Sequence, residues 1–178
     1  MPKPSRPAAP APTNAFIVVD GRRWRAADPH IPDNLRQELV NELMSARRAV
    51  RDAKDALAVR RSRRRVNDAK VALGERGRAW WLPPDPVALV RRVEAAMRAL
   101  LRSRQPGLTI CPSDVARIVG GDTWRTVLAL VREQAVLMSG RGELEILRRG
   151  QVVQEDPTRG VLRYRLTAPL ASEPGPSP

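Results

Sequence analysis

A helix, a glycine pair, a second helix and two strands of alternating polarity follow one another in residues 109–166. This order constrains the fold more than any other feature of the chain. Pro112 suits the first position of a helix, where its missing N–H is not needed, and Gly120-Gly121 is typical of a helix end. Apolar residues recur between them at helical spacing: Val115, Ile118 and Val119.

The second helix of this block is expected to bury one face, and Asp122 is predicted to cap its N-terminus. Its apolar residues recur three and four positions apart, which is typical of a helix packed on a core. The predicted buried stripe consists of Trp124, Val127, Leu128, Val131, Ala135 and Met138. The opposite face would carry Asp122, Thr126, Ala129 and Glu133.

Two half-buried strands are predicted next, because apolar and polar residues alternate with a period of two. Leu144 and Ile146 mark the first strand, and Leu162, Tyr164 and Leu166 mark the second. Residues 150–160 between them are polar and are expected to form a loop. One further helix, capped by Asp85 and starting at Pro86, precedes the block. Together, residues 86–167 predict a winged helix-turn-helix domain whose loop would be the wing.

Short blocks within this domain are familiar as a set: TICPSDVAR, DTWR, VRE, the LEI strand and RRG. In this order they resemble an uncharacterised bacterial domain-of-unknown-function family with a winged-helix-like fold. The resemblance covers about residues 86–166. It implies a fold and no activity.

The N-terminal half predicts a β-hairpin followed by an antiparallel helical hairpin, in residues 16–79. FIVVDGRRWR contains Asp20-Gly21, which supplies the positive φ angles of a two-residue turn. A narrow apolar seam then runs along residues 35–57, stops at residue 60 and resumes at Val66. We expect the bend between the two helices near residues 60–64. A single unbroken helix to Leu73 is the alternative.

This half, from FIVVDGRRWRAADPHIP through AKVALGERGRAWW, resembles a bacterial segment loosely labelled as a biopolymer-transporter homologue. The resemblance implies only that hairpin and helices form one unit, since no apolar run is long enough to span a bilayer. Residues 80–85 are predicted to be a linker, with Trp80 and Trp81 packed against a neighbouring element. Residues 1–15 and 168–178 are expected to be disordered. The expected fold class is α+β, mostly helical.

Charge and composition favour a polyanionic partner. The chain has 32 Lys and Arg against 19 Asp and Glu, a formal net charge of +13, and such an excess points first to nucleic acid. One cysteine and one histidine leave no disulfide, no cysteine zinc site and little acid–base chemistry. We therefore expect no enzyme activity, no cofactor and no metal. The absence of a signal segment or membrane span makes the cytoplasm the default location.

The candidate contacts to nucleic acid are arginines, since guanidinium groups bind phosphate. Those in the N-terminal helical hairpin are Arg60, Arg61, Arg63, Arg64 and Arg65. Those in the C-terminal domain are Arg125 on the second helix, and Arg148, Arg149, Arg159, Arg163 and Arg165, which are expected on one side of the small sheet. In each case the alternative is an ordinary solvated surface.

The acidic and apolar surface of the predicted recognition helix, the second helix of the block, is poor for reading bases, which usually needs Arg, Lys, Asn or Gln. The sequence therefore predicts DNA binding of winged-helix type, mainly through phosphate contacts. A protein of this type is expected to act in transcription. The alternative is a protein-interaction or dimerisation adapter, with a protein partner or a second copy of the chain, that uses the helical seam and the apolar flank of the last helix.

Overall fold

The computed structural model describes residues 10–83, 85–104, 107–153 and 157–167. The expectations for residues 1–9 and 168–178 lie outside these ranges. The fold is a mixed α+β arrangement dominated by helices. In chain order its elements are β1 (Phe16–Val19), β2 (Arg22–Arg25), α1 (Asp33–Asp52), α2 (Ala56–Ala72), α3 (Pro86–Ser103), α4 (Pro112–Gly120), α5 (Trp124–Gly140), β3 (Leu144–Arg148), β4 (Gln151–Val152) and β5 (Leu162–Leu166).

The predicted N-terminal hairpin is confirmed. Asp20 and Gly21 have φ angles of 49° and 70°, as a two-residue turn of this hand requires. Val19 pairs with Arg22 and Phe16 with Arg25. Ala15, which the sequence places in the disordered segment, is instead fully buried, and its carbonyl accepts a 2.9 Å hydrogen bond from the Ala26 N–H.

Two helices form the next unit, but the predicted position of their bend is wrong. The chain turns at residues 53–55, not at residues 60–64, and the unbroken helix is wrong as well. Asp55 explains the turn, since its side chain accepts a 2.7 Å hydrogen bond from the Ala58 N–H and so caps α2. The run of arginines therefore lies inside α2. Arg65 reaches Glu42 on α1, which indicates that the two helices are antiparallel.

Helix α4 begins at Pro112 as predicted, and the Asp114 carboxylate accepts the Cys111 N–H at 3.2 Å. Asp122 does not cap α5, because it lies in a 3-10 turn (Gly121–Thr123) and α5 begins at Trp124. Gly121 is needed in this turn. Its φ is +50°, and a Cβ there would lie 2.9 Å from the Cβ of His30.

The small sheet has the strand order β4-β3-β5, with antiparallel neighbours. The expected loop of residues 150–160 is shorter than predicted, because Gln151 and Val152 pair with Arg148 and Leu147 as strand β4. Arg149 and Gly150, with φ of 52° and 83°, make the tight turn between β3 and β4. Ile110 bridges to Tyr164 on β5.

One hydrophobic cluster joins both halves of the chain. Leu35 and Leu39 of α1 belong to the same buried group as Leu100 of α3, Val115 of α4 and Tyr164 of β5. Trp124 does not lie deep in this core as the stripe predicts; it is half-buried and packs against the edge. The division into two domains at residues 80–85 stays a prediction.

Trp80 and Trp81 pack against the N-terminal segment, as predicted. The indole N–H of Trp80 donates to the carbonyl of Ala26 at 3.2 Å. The rings of Trp81 and Phe16 meet edge to face, with centroids 5.6 Å apart. Residues 80–81 therefore hold the β-hairpin against the helices.

Candidate nucleic-acid interface

Four of the predicted arginines lie on the solvent side of α2. Arg60 and Arg64 are one helical turn apart on the outward face, and Arg61 and Arg63 flank them. All four are exposed. Within the described ranges none of their side chains forms an ion pair or a hydrogen bond.

The bend at residues 53–55 brings further cations to the same end of the helical hairpin. With a rise of ~1.5 Å per residue, all of them lie within about 14 Å of the bend along the axes of α1 and α2. We name this group the tip cluster; its exposed members are Arg47, Arg48, Lys54, Arg60, Arg61, Arg63 and Arg64. The nearby acids are already engaged, Asp52 by Arg51 at 3.2 Å and Asp55 as the α2 cap.

Arg65 does not belong to this surface, although the sequence places it there. Its guanidinium donates to both carboxylate oxygens of Glu42 at 2.9 Å, and to the Ser45 hydroxyl at 3.2 Å. The Glu42 side chain is 1% exposed. A buried carboxylate needs a partner of opposite charge, so Arg65 serves the α1–α2 contact.

The arginines of the small sheet do not share one side, contrary to prediction. Arg163 and Arg165 lie opposite Leu147 and Glu145, on the outer face. Arg148 lies opposite Leu162, which puts it on the face that carries the core. There it donates to the carbonyl of Arg159 at 2.9 Å.

Only part of this second set therefore has its charge available at the surface. The Arg165 guanidinium is bound to the Glu145 carboxylate at 2.6 and 2.9 Å. Arg149, in the β3–β4 turn, and Arg163 are exposed, and neither side chain forms a hydrogen bond or ion pair with another described residue. Arg159 is exposed and bonded within the fold.

The start of α5 offers little for reading bases. Arg125 and Arg117 both lie over the Trp124 ring, at 4.6 and 5.1 Å from its centroid. Arg132 donates to the carbonyls of Thr158 and Gly160 at 3.0 and 3.4 Å. The outward face shows the expected exposed residues Asp122, Thr126, Ala129 and Glu133.

An ion-pair network accounts for much of the remaining charge around α3. Glu143 accepts hydrogen bonds from Arg98 and from Arg141, each at 2.6 Å. Burial acts to raise the pKa of Glu143, but the two guanidinium groups outweigh it and the pKa lies below its ordinary value. For Asp68 burial dominates, so its pKa is raised although Arg102 donates to it at 2.8 Å.

An open groove of about 1290 Å³ runs beside α3. Its arginines are largely committed to the fold: Arg92 binds Asp28 at 2.8 Å, and Arg78 donates to the carbonyl of Pro83 at 2.6 Å. Asp68 and Glu94 also line the groove. Together with Asp85, three acidic residues lie among the arginines that line this groove.

Sequence reasoning missed Arg47, Arg48 and Lys54, because it placed the bend seven residues too late. A signal was present in the sequence: Asp55 is a preferred helix cap, although it falls inside the apolar seam of residues 35–57. A bend predicted at residues 53–55 would have placed Arg47, Arg48 and Lys54 beside the arginines of residues 60–64.

Within the described ranges, no group of three or more His, Cys, Asp and Glu side chains could hold a metal ion. None of the helices in these ranges is long and apolar enough to cross a membrane.

Residues 90–167, from α3 to the end of β5, match the model of a family described as protein of unknown function (DUF3253). The expected resemblance of this half to a family of unknown function is confirmed. A search of curated proteins finds no match to the chain. The transporter-like resemblance of the first half stays a prediction.

Proposed function

We propose that this protein binds nucleic acid, duplex DNA first, by holding the phosphate backbone with the tip cluster. The observation that carries the proposal is the concentration of seven exposed cations around one bend, where Asp52 is paired with Arg51 and Asp55 caps α2. Cations that are not neutralised within the fold can replace the counterions of a phosphate chain, and the release of those counterions drives binding.

The winged-helix assignment belongs to the same proposal. Three helices followed by an antiparallel sheet, in the order α3, α4, α5 and β3 to β5, support it. In that arrangement α5 would be the recognition helix and the segment between β4 and β5 the wing. The outward face at α5 carries acidic residues, and Arg132 of α5 is hydrogen-bonded to the carbonyl of Thr158. Both features favour a weak sequence preference.

Two quadruple variants of equal charge change test where the contacts lie. The first replaces Arg60, Arg61, Arg63 and Arg64 by Ser; the matched control replaces Arg125, Arg149, Arg159 and Arg163. Binding of a fluorescent duplex is measured by anisotropy over a range of salt concentrations. Because the slope of log affinity against log salt falls by ~0.9 for each lost phosphate contact, the first variant should flatten it by several units. The control should change it much less.

A larger effect in the control would move the interface to the sheet and α5. If the wild type does not bind duplex or single-stranded DNA at low salt, the nucleic-acid proposal fails and the adapter alternative remains. Of the adapter surfaces, the α1 seam is committed to the core at Leu35, Leu39 and Leu43, whereas Leu137 on α5 is exposed.

A further inference from the structure

Strand β1 exposes apolar side chains at the edge of a two-stranded sheet. Val18 is 71% exposed and Ile17 51%, and Val19 and Trp24 are also exposed. No other described strand pairs with β1 besides β2. A sheet edge of this kind presents unpaired backbone groups together with apolar side chains, which is a template for another strand.

The pairing with β2 settles which backbone groups of β1 point outward. Val19 and Arg22 flank the two-residue turn, so they form a hydrogen-bonded pair, and alternate pairs after them repeat this pattern. The bond from Ala26 to Ala15 continues it. The N–H and C=O groups of Phe16 and Val18 therefore face away from β2, toward the open edge.

A second copy of β1 fits this edge in one favoured register. When two β1 strands run antiparallel with Phe16 of each opposite Val18 of the other, all four outward groups on each strand are paired, in four hydrogen bonds. Ile17 then lies opposite Ile17 of the second copy. Because Trp24 is the partner of Ile17 across the hairpin, one row of apolar side chains would cross all four strands.

Charge favours pairing between two β1 strands over pairing between two β2 strands. The sequence FIVV of β1 carries no charge, whereas β2 carries Arg22, Arg23 and Arg25. Like charges directly opposite each other destabilise a strand pair. Joining two β1 strands leaves the arginines on the outer strands, while joining β2 to β2 would oppose them.

We propose that the chain forms a symmetric homodimer by pairing β1 with β1, centred on Ile17. This surface is distinct from the tip cluster and does not depend on nucleic-acid binding. Four-residue strands bury less than the ~1,200 Å² of a typical stable interface, so the dimer is reversible and weak. Because two monomers of the same net charge repel, added salt should strengthen the dimer, the opposite of its effect on binding to DNA.

Cysteine crosslinking in the full chain tests the register. In a Cys111→Ser background, Ile17→Cys places two thiols in a non-hydrogen-bonded pair with Cα atoms ~4.5 Å apart, within disulfide range. Val18→Cys is the matched control. Val18 is more exposed but faces Phe16 of the partner, so its two Cα atoms are more than ~7 Å apart and cannot be bridged.

We expect several-fold more disulfide-linked dimer from Ile17→Cys than from Val18→Cys under mild oxidation. Equal crosslinking, or more from Val18→Cys, would overturn the proposed register and with it the proposed dimer.

Sedimentation of the wild type at rising protein concentration and high salt gives a second measurement. The wild type should show a dimer that Ile17→Lys removes, because this change sets two like charges opposite each other. DNA binding of Ile17→Lys by anisotropy reports separately on the tip cluster. A wild type that stays monomeric at every concentration in high salt contradicts the dimer, whatever the DNA measurement shows.

Discussion

Arg64 and Arg65 are neighbours in sequence, and the turn of the helix directs them into different environments. The Arg64 side chain is exposed, whereas Arg65 is 19% exposed and bound to a carboxylate that is 1% exposed. Removing one partner of a buried ion pair leaves an uncompensated charge in a medium that solvates it poorly. The same substitution at the two positions should therefore affect different properties.

We predict that Arg65→Ala lowers the free energy of unfolding by about 3–5 kcal/mol, because Glu42 loses its partner. Arg64→Ala should change it by no more than about 0.5 kcal/mol, as is usual for an exposed side chain. Urea denaturation followed by circular dichroism measures both. Equal, small effects would show that Glu42 is satisfied without Arg65.

At the scale of elements, one carboxylate connects three pieces of the fold. Glu143 precedes β3, its partner Arg98 lies on α3, and its partner Arg141 follows the end of α5. Arg141 also binds Glu94 of α3 at 2.8 Å. These hydrogen bonds fix the direction in which the chain leaves α5 and enters the sheet.

Glu143→Gln should lower the free energy of unfolding by about 1.5–3 kcal/mol near neutral pH, the range for hydrogen bonds to charged groups. The folded-state pKa of Glu143 lies below its ordinary value of 4.5. Its contribution is therefore fully present above that value and is lost as the pH falls through the folded-state pKa. Urea denaturation of both proteins at neutral and acidic pH should show the difference shrinking in acid. A difference that stays constant would assign the effect to packing.

At the scale of the whole molecule, the shared core couples the two halves. Leu39 of α1 and Leu100 of α3 belong to one buried cluster, and Arg92 of α3 binds the buried Asp28 before α1. Gly121 lies against His30. Elements on both sides of residues 80–85 therefore contribute to the same apolar interior.

We expect both halves to unfold in one transition, because exposing one face of α3 would also expose the surfaces packed against it. The fluorescence of Trp124 reports on the C-terminal half in a variant in which Trp24, Trp80 and Trp81 are replaced by Phe. The reciprocal variant, Trp124→Phe, reports on the other half. Coincident urea midpoints of fluorescence and circular dichroism in each variant support one unit. Well-separated midpoints would instead support independent domains joined by residues 80–85.

Much of the local structure could be predicted because its causes lie within a few residues. Asp20-Gly21 can adopt the positive φ angles of the hairpin turn, and Pro112 suits the start of α4. The alternation of Leu162 and Tyr164 with arginines gave β5 and its buried face. The bend at residues 53–55 was equally local, and it was missed because the charge run at residues 60–65 was taken for the break.

The composition of the candidate interface was decided by tertiary structure. Arg65 and Arg165 look like their neighbours in sequence, but each meets a carboxylate more than 19 residues away, Glu42 and Glu145. An ion pair depends on the distance between two side chains in space, and no local pattern encodes that distance. The sequence by itself therefore determined that the chain has a large excess of positive charge, and only the packing of α1 on α2 and of β3 on β5 decided which arginines keep that charge at the surface.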